Sequence, residues 1–215
     1  MIKVFAEYVQ ENGLDYRRTT LLQFGNSWDL IGSAVLKNPG SAKAEGPITE
    51  EEASEIKSFF CQECFHMDLW QRFRPDPTMR FLEKIFNGEY VGKSNDLNGV
   101  VQLFNLTYIK EPNLELAKKK ALESSSHLLF PSLDEMIPIF KDKPVYIGWF
   151  DTWKHTPKAE PIARGIFEYL SMSKNQYLKP EFEKNKYYHP IYINRASKKE
   201  IIQISLNSFS LLLDK

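Results

Sequence analysis

The chain has 215 residues, 42% of them hydrophobic and 26% charged, and its 28 basic and 28 acidic side chains cancel to a formal net charge of zero. That length suits one domain with a proper core better than two thin ones, and the composition excludes disorder as the default. Zero net charge argues against avid, nonspecific duplex binding driven by counterion release, so any nucleic-acid contact has to be local.

The N-terminal stretch "MIKVFAEYVQENG" lacks the continuous apolar core of a signal peptide, and no apolar run reaches bilayer-crossing length. The expectation is a cytoplasmic protein with no membrane partner. The first apolar signals after the start are "TTLLQF" and the run Leu30 to Leu36, which stops at Asn38, Pro39 and Gly40 as a buried strand ending in a turn would.

From Ile48 to Phe73 an acidic opening followed by apolar residues at three- and four-residue spacing predicts one amphipathic helix capped by Thr49. Cys61 and Cys64 fall inside it as CxxC, whereas a thioredoxin-type pair follows a strand and opens a helix. A structural metal would need two further ligands, from His66, His127, His155 or His189, none at finger-like spacing. Buried or half-buried thiols on a helix are therefore expected, with no metal and no cofactor; a redox or metal protein is a third reading.

Asp76 and Pro77 begin a second helix, the aspartate accepting from free backbone donors and the proline presetting φ, and Gly88 or Gly92 ends it. Val100, Val101, Leu103 and Phe104 form a nearly continuous apolar run, a strand covered on both faces, with Asn105 at its exit. A helical or irregular stretch from Asn113 to Phe140 precedes the short strand in "KPVYIGWF", ending at Gly148, and the helix "KAEPIARGIFEYLSM". "HPIYI" is a last strand or turn before an amphipathic helix from Ser197 to Leu213. This alternation predicts a single α/β domain over residues 1–215, three-layer α/β/α with a short central, mostly parallel sheet. Ligands in such folds bind outside the carboxyl ends of the strands, where Asn38, Asn105 and Gly148 fall.

In order, "NPGSA", "DPT", "NL", "GWF" and "HPIY" resemble the pattern of the 1643 family of domains of unknown function: an N-P-small-small-Ala turn, a D-P-T helix start, N-L and W-G strand exits and a terminal H-P-L-Y. The matches lie between Arg18 and Asn194, with "GWF" inverting the Trp-Gly order. More remotely the series is similar to the uracil-DNA glycosylase superfamily. That likeness implies that Asn38 positions a water, that Asn105 reads the base, and that His189 stabilises charge on the departing base.

Each implied role has a physical counterpart. Cleaving an N-glycosidic bond builds negative charge on the leaving base, which a donor on His189 would stabilise. The side-chain amide of Asn105 presents a donor and an acceptor side by side, matching a base edge. Pro39 and Gly40 let the backbone approach a ligand, and Ser41 and the amides after it can grip a phosphate. Phe104, Tyr108, Trp149, Phe150 and Tyr192 flank the proposed site, to which Gly148 also belongs, and can stack on a base.

The first motif carries no carboxylate, so Asp76, otherwise a plain helix cap, and Glu45 are the candidates for a general base. Lys179, Lys184, Lys186, Arg195, Lys198 and Lys199 can follow a phosphate backbone, diluted by Glu181, Glu183 and Glu200. The resemblance thus implies a nucleobase-recognising hydrolase of N-glycosyl bonds, with DNA or a free nucleotide as partner. A noncatalytic sensor of nucleotides or modified nucleosides stays open beside it.

Overall fold

The first two strands, β1 (Lys3–Glu11) and β2 (Leu14–Phe24), form a hairpin absent from the sequence expectation. Its turn is Asn12-Gly13, with φ of 51° and 73°, the left-handed backbone that a two-residue hairpin connection demands and that Asn-Gly supplies cheaply. The computed structural model describes residues 2–40, 42–61, 65–111, 113–124, 126–173, 177–193 and 199–214. The other strands are β3 (Leu30–Leu36), β4 (Ala44–Pro47), β5 (Trp70–Phe73), β6 (Gly99–Asn105) and β7 (Val145–Ile147). The helices are α1 (Glu50–Phe60), α2 (Pro77–Phe86), α3 (Leu114–Glu123), α4 (Leu133–Phe140), α5 (Thr152–His155), α6 (Ala159–Met172) and α7 (Lys199–Leu213).

The strands make one seven-stranded sheet in the order β4-β5-β1-β2-β6-β3-β7. Its two halves differ. β3 pairs in parallel with β6 and with β7, whereas β2 runs antiparallel to β6, and the β2-β1, β1-β5 and β5-β4 pairings are antiparallel too. The mostly parallel sheet expected from the sequence is thus corrected to a mixed one. The reason is local: a two-residue turn can only join antiparallel strands, and it brings β1 in as a neighbour of β2.

The single helix expected from Ile48 to Phe73 is also corrected. Thr49 does cap α1, accepting from the Glu52 amide while Glu52 reaches back to the Thr49 amide, but the helix stops at Cys61, which is left-handed at φ 52°. The chain then turns into β5, where Glu7 faces Trp70 and Val4 faces Phe73. Trp70 and Phe73, three residues apart, would share a helix face; on a strand they point to opposite faces, and they enter different core clusters. Cys61 is an exposed free thiol rather than a buried helical one, and Cys64 lies outside the described residues.

Alternating residues of the central strands send side chains to two cores. Ala34 and Leu36 of β3, Val101 and Leu103 of β6 and Tyr146 of β7 pack under α2 and α7. Val35, Phe104, Val145 and Ile147 pack under α4 and α6 on the other face. Phe5, Leu21 and Val100 meet α1 on that second face. β6 is buried at every position, the signature of a strand covered on both sides. Among the described residues no helix is long and apolar enough to cross a membrane.

Candidate functional site

The parallel pair β3 and β6 ends in register, Leu36 opposite Asn105, and the ladder continues past both ends through Leu106 N–H to Leu36 O (2.9 Å) and Thr107 N–H to Lys37 O (3.1 Å). The two asparagines that close these strands are therefore neighbours by construction. Asn105 is 1% exposed, and its Nδ2 has no partner among the described residues. Asn38 donates through Nδ2 to Glu111 O (2.9 Å) and to Pro39 O (3.1 Å), so its amide nitrogen ties the loop and its Oδ1 is the atom left for a ligand.

α2 crosses the same face antiparallel to β3. Phe86 lies against Gly32 near the start of β3, where a methyl on the glycine would come within 2.4 Å of the ring. At its other end Asp76 caps the helix through Oδ1, accepting from Met79 N–H at 3.0 Å, while Oδ2 turns toward the loop and stands 3.1 Å from where a Gly40 Cβ would sit. The carboxylate missing from the first motif in sequence is thus delivered to it in space by the start of α2.

His189 closes the site from the far end of the chain, capping a 3-10 turn of Pro190–Tyr192. Gly148 makes room for that turn: a Cβ there would meet Leu36 Cδ2 at 2.6 Å and Pro190 Cδ at 3.1 Å. The glycine of "GWF" therefore serves packing behind the site.

These segments enclose a cavity of about 300 Å³ lined by Asn38, Gly40, Asp76, Asn105, His189 and Tyr192, together with Arg17, Lys37, Leu36, Leu103, Met79 and neighbours. Six of the residues singled out from sequence are brought together here. Pro39 sits just behind, offering its carbonyl to Asn38. Tyr108 is not at this cavity: it is 3% exposed and lines a separate pocket with Glu7, Arg18, His66 and Glu135. Trp149 is wholly buried and packed on Tyr187, ring centroids 4.9 Å apart, where no ligand can stack on it. Phe150 rests on Tyr192, 5.5 Å between centroids, and Phe104 belongs to the second core. Glu45 pairs with Arg74 at 3.2 Å away from the cavity, leaving Asp76 as its carboxylate. Ser41, Arg195 and Lys198 lie outside the described residues.

Burial and the nearby Lys37 ammonium push the imidazole of His189 down to about 3, so it is neutral near pH 7. Its Nδ1 accepts from Ile191 N–H at 3.4 Å, which places the single ring proton on Nε2. Neither family models nor curated proteins nor solved structures match the chain. What the site can do therefore has to be argued from its own atoms: a neutral donor, a buried amide, a carboxylate and two cations around a space large enough for one small ligand.

Arg17 and Lys37 were missed by sequence reasoning. Because β2 runs opposite to β6, the start of β2 lies at the sheet end where β6 exits, and Arg17 N–H bonds Tyr108 O (2.9 Å) just beyond Asn105. Only the antiparallel pairing places it there. The "LK" step into Asn38 did mark Lys37, as a cation that directly follows a buried strand, and that signal went unused. Among the described residues no three His, Cys, Asp or Glu side chains gather as metal ligands would.

Proposed function

We propose that this protein is a uracil-DNA glycosylase-like nucleobase-binding hydrolase that cleaves an N-glycosidic bond without metal or cofactor. The observation that carries this reading is the convergence of Asn38, Asp76, Asn105 and His189 on one cavity from four separate stretches of chain. Asn105 reads the base edge with an amide whose donor end has no partner among the described residues. Neutral His189 donates from Nε2 to the base oxygen as negative charge gathers there, a role that an imidazole of ordinary basicity would fill only part of the time at pH 7. Asn38 Oδ1 orients a water and Asp76 Oδ2 takes its proton. The ring of Tyr192 forms an aromatic wall beside the imidazole, 6.1 Å between centroids.

The test is a single-turnover assay on oligonucleotides bearing uracil and deaminated, oxidised or hypermodified bases, with the matching free nucleotides, scored by mass spectrometry of released base. Release by the wild type that disappears in Asn38→Ala and His189→Ala supports hydrolysis. Absence of release from every substrate overturns it in favour of a noncatalytic nucleotide-binding module, the reading that the two buried cations favour.

A further inference from the structure

Arg17 and Lys37 have no place in the chemistry described so far. Both are buried, 1% and 7% exposed, and both line the cavity. Arg17 lies over the Phe73 ring, 5.4 Å from its centroid, and its Nε and Nη1 are sealed without a hydrogen-bond partner among the described residues. Lys37 faces the rings of Tyr192 (4.8 Å) and Phe150 (5.3 Å), and its hydrogen bond is a long one, 3.4 Å, to the Tyr192 hydroxyl. Neither makes an ion pair with a described carboxylate.

The arrangement is costly on its own, because a buried cation wants a hydrogen-bonded anion. Among the described residues the cavity holds two cations against one carboxylate, Asp76, with His189 neutral. Asp76 is engaged at the α2 cap through one oxygen, which leaves the cavity with positive charge in excess. A guanidinium fork beside an ammonium is a recurrent way to hold a tetrahedral oxyanion, the fork giving direction and the ammonium point charge.

We infer that Arg17 and Lys37 form an anion subsite that takes the phosphate of a nucleotide whose base lies toward Asn105 and His189. This deepens the proposed function and rests on it for the base half of the ligand. A cavity of about 300 Å³ is of a size for one nucleotide unit. The same phosphate chemistry is offered by a free nucleoside monophosphate and by one phosphodiester of a strand, and the experiment separates them.

Calorimetry with the purified full chain compares nucleosides, their 5′-monophosphates, a single-stranded trinucleotide and inorganic phosphate, alongside thermal melting with and without phosphate. The variants are Lys37→Met and Arg17→Lys, the second keeping the charge and losing the fork. The expected result is that monophosphate binds at least tenfold tighter than nucleoside. Each variant should weaken monophosphate on the order of 30-fold, a loss at least tenfold larger than any it causes in nucleoside affinity. Phosphate alone should raise the melting temperature of the wild type and not of Lys37→Met, which should itself melt no lower than the wild type without ligand, so that folding loss is ruled out. Tight trinucleotide binding with weak monophosphate binding assigns the subsite to a strand. Equal affinity for nucleoside and monophosphate overturns the subsite and leaves base recognition standing. A phosphate effect lost in Lys37→Met, with no binding of any base, upholds the subsite and removes base recognition. No response to phosphate and no effect of either variant overturns the inference.

Discussion

The two halves of the sheet contribute to the cavity in different ways. The parallel half, β6-β3-β7, brings Asn38 and Asn105 there as strand exits and seats the His189 turn against Gly148. The antiparallel half, β4-β5-β1-β2, brings Arg17 from a strand start and leads through β5 into the Asp76 cap. The two amides thus come from the half whose direction sets a common carboxyl end, and the charged groups Arg17 and Asp76 come from the antiparallel half. A parallel sheet alone would have offered this cavity the amides without the buried guanidinium.

The largest expected effect breaks the comparison at its charged side. Asp76→Asn keeps a good helix cap yet removes the proposed general base, so under the proposed function base release should fall by roughly 10²-fold or more with the melting temperature within a few degrees of the wild type. An equal fall in stability would show that Asp76 is a cap alone. On the amide side, Gly148→Ala forces a methyl against Leu36 and Pro190 and should cost about 1–3 kcal/mol in urea unfolding with an unchanged slope. A matching Gly13→Ala in the hairpin meets open space and carries only the penalty of φ +73°, about 1 kcal/mol.

The pH dependence sharpens the comparison further. The folded-state pKa of His189 lies near 3, below its unfolded value of about 6.5, so the unfolded chain binds more protons between these two values. Stability from this group is complete above about pH 6.5 and is lost as pH falls toward 3. The imidazole is largely buried, and the loss by pH 5 is on the order of 2 kcal/mol. His189→Gln should flatten that acid limb in denaturant titrations at pH 5 and pH 7. The smallest effect is Thr49→Ala, far from the cavity, which should cost about 1 kcal/mol through loss of the α1 capping box and leave ligand binding unchanged.

Sequence made the parallel half legible because a strand buried on both faces is an uninterrupted apolar run, as in Leu30–Leu36 and Gly99–Asn105. Its exits then marked Asn38 and Asn105 with no reference to neighbours. β1 escaped because "KVFAEYVQE" mixes buried and half-exposed positions without clean alternation, although "NG" at residues 12–13 was a hairpin signal in plain view. β5 escaped because Trp70 and Phe73 have helical spacing. Arg17 could not be found without the β2-β6 register, since nothing local distinguishes it from Arg18, which pairs with Glu7 in a different pocket. Tyr108 and Trp149 were placed by proximity in sequence to strand exits, and the alternation of side chains sends both away from the cavity.

Phe150 stands at φ 55°, a backbone that residues with a Cβ seldom adopt, and its N–H is bonded to Tyr187 O at 2.6 Å while its ring rests on Tyr192. The loop after β7 is thereby clasped to the chain on both sides of His189. The histidine wall is tied to the sheet through β7. If the proposed nucleotide binds, amide-exchange rates should change more at residues 38–40, which face Asp76, than in this clasped wall.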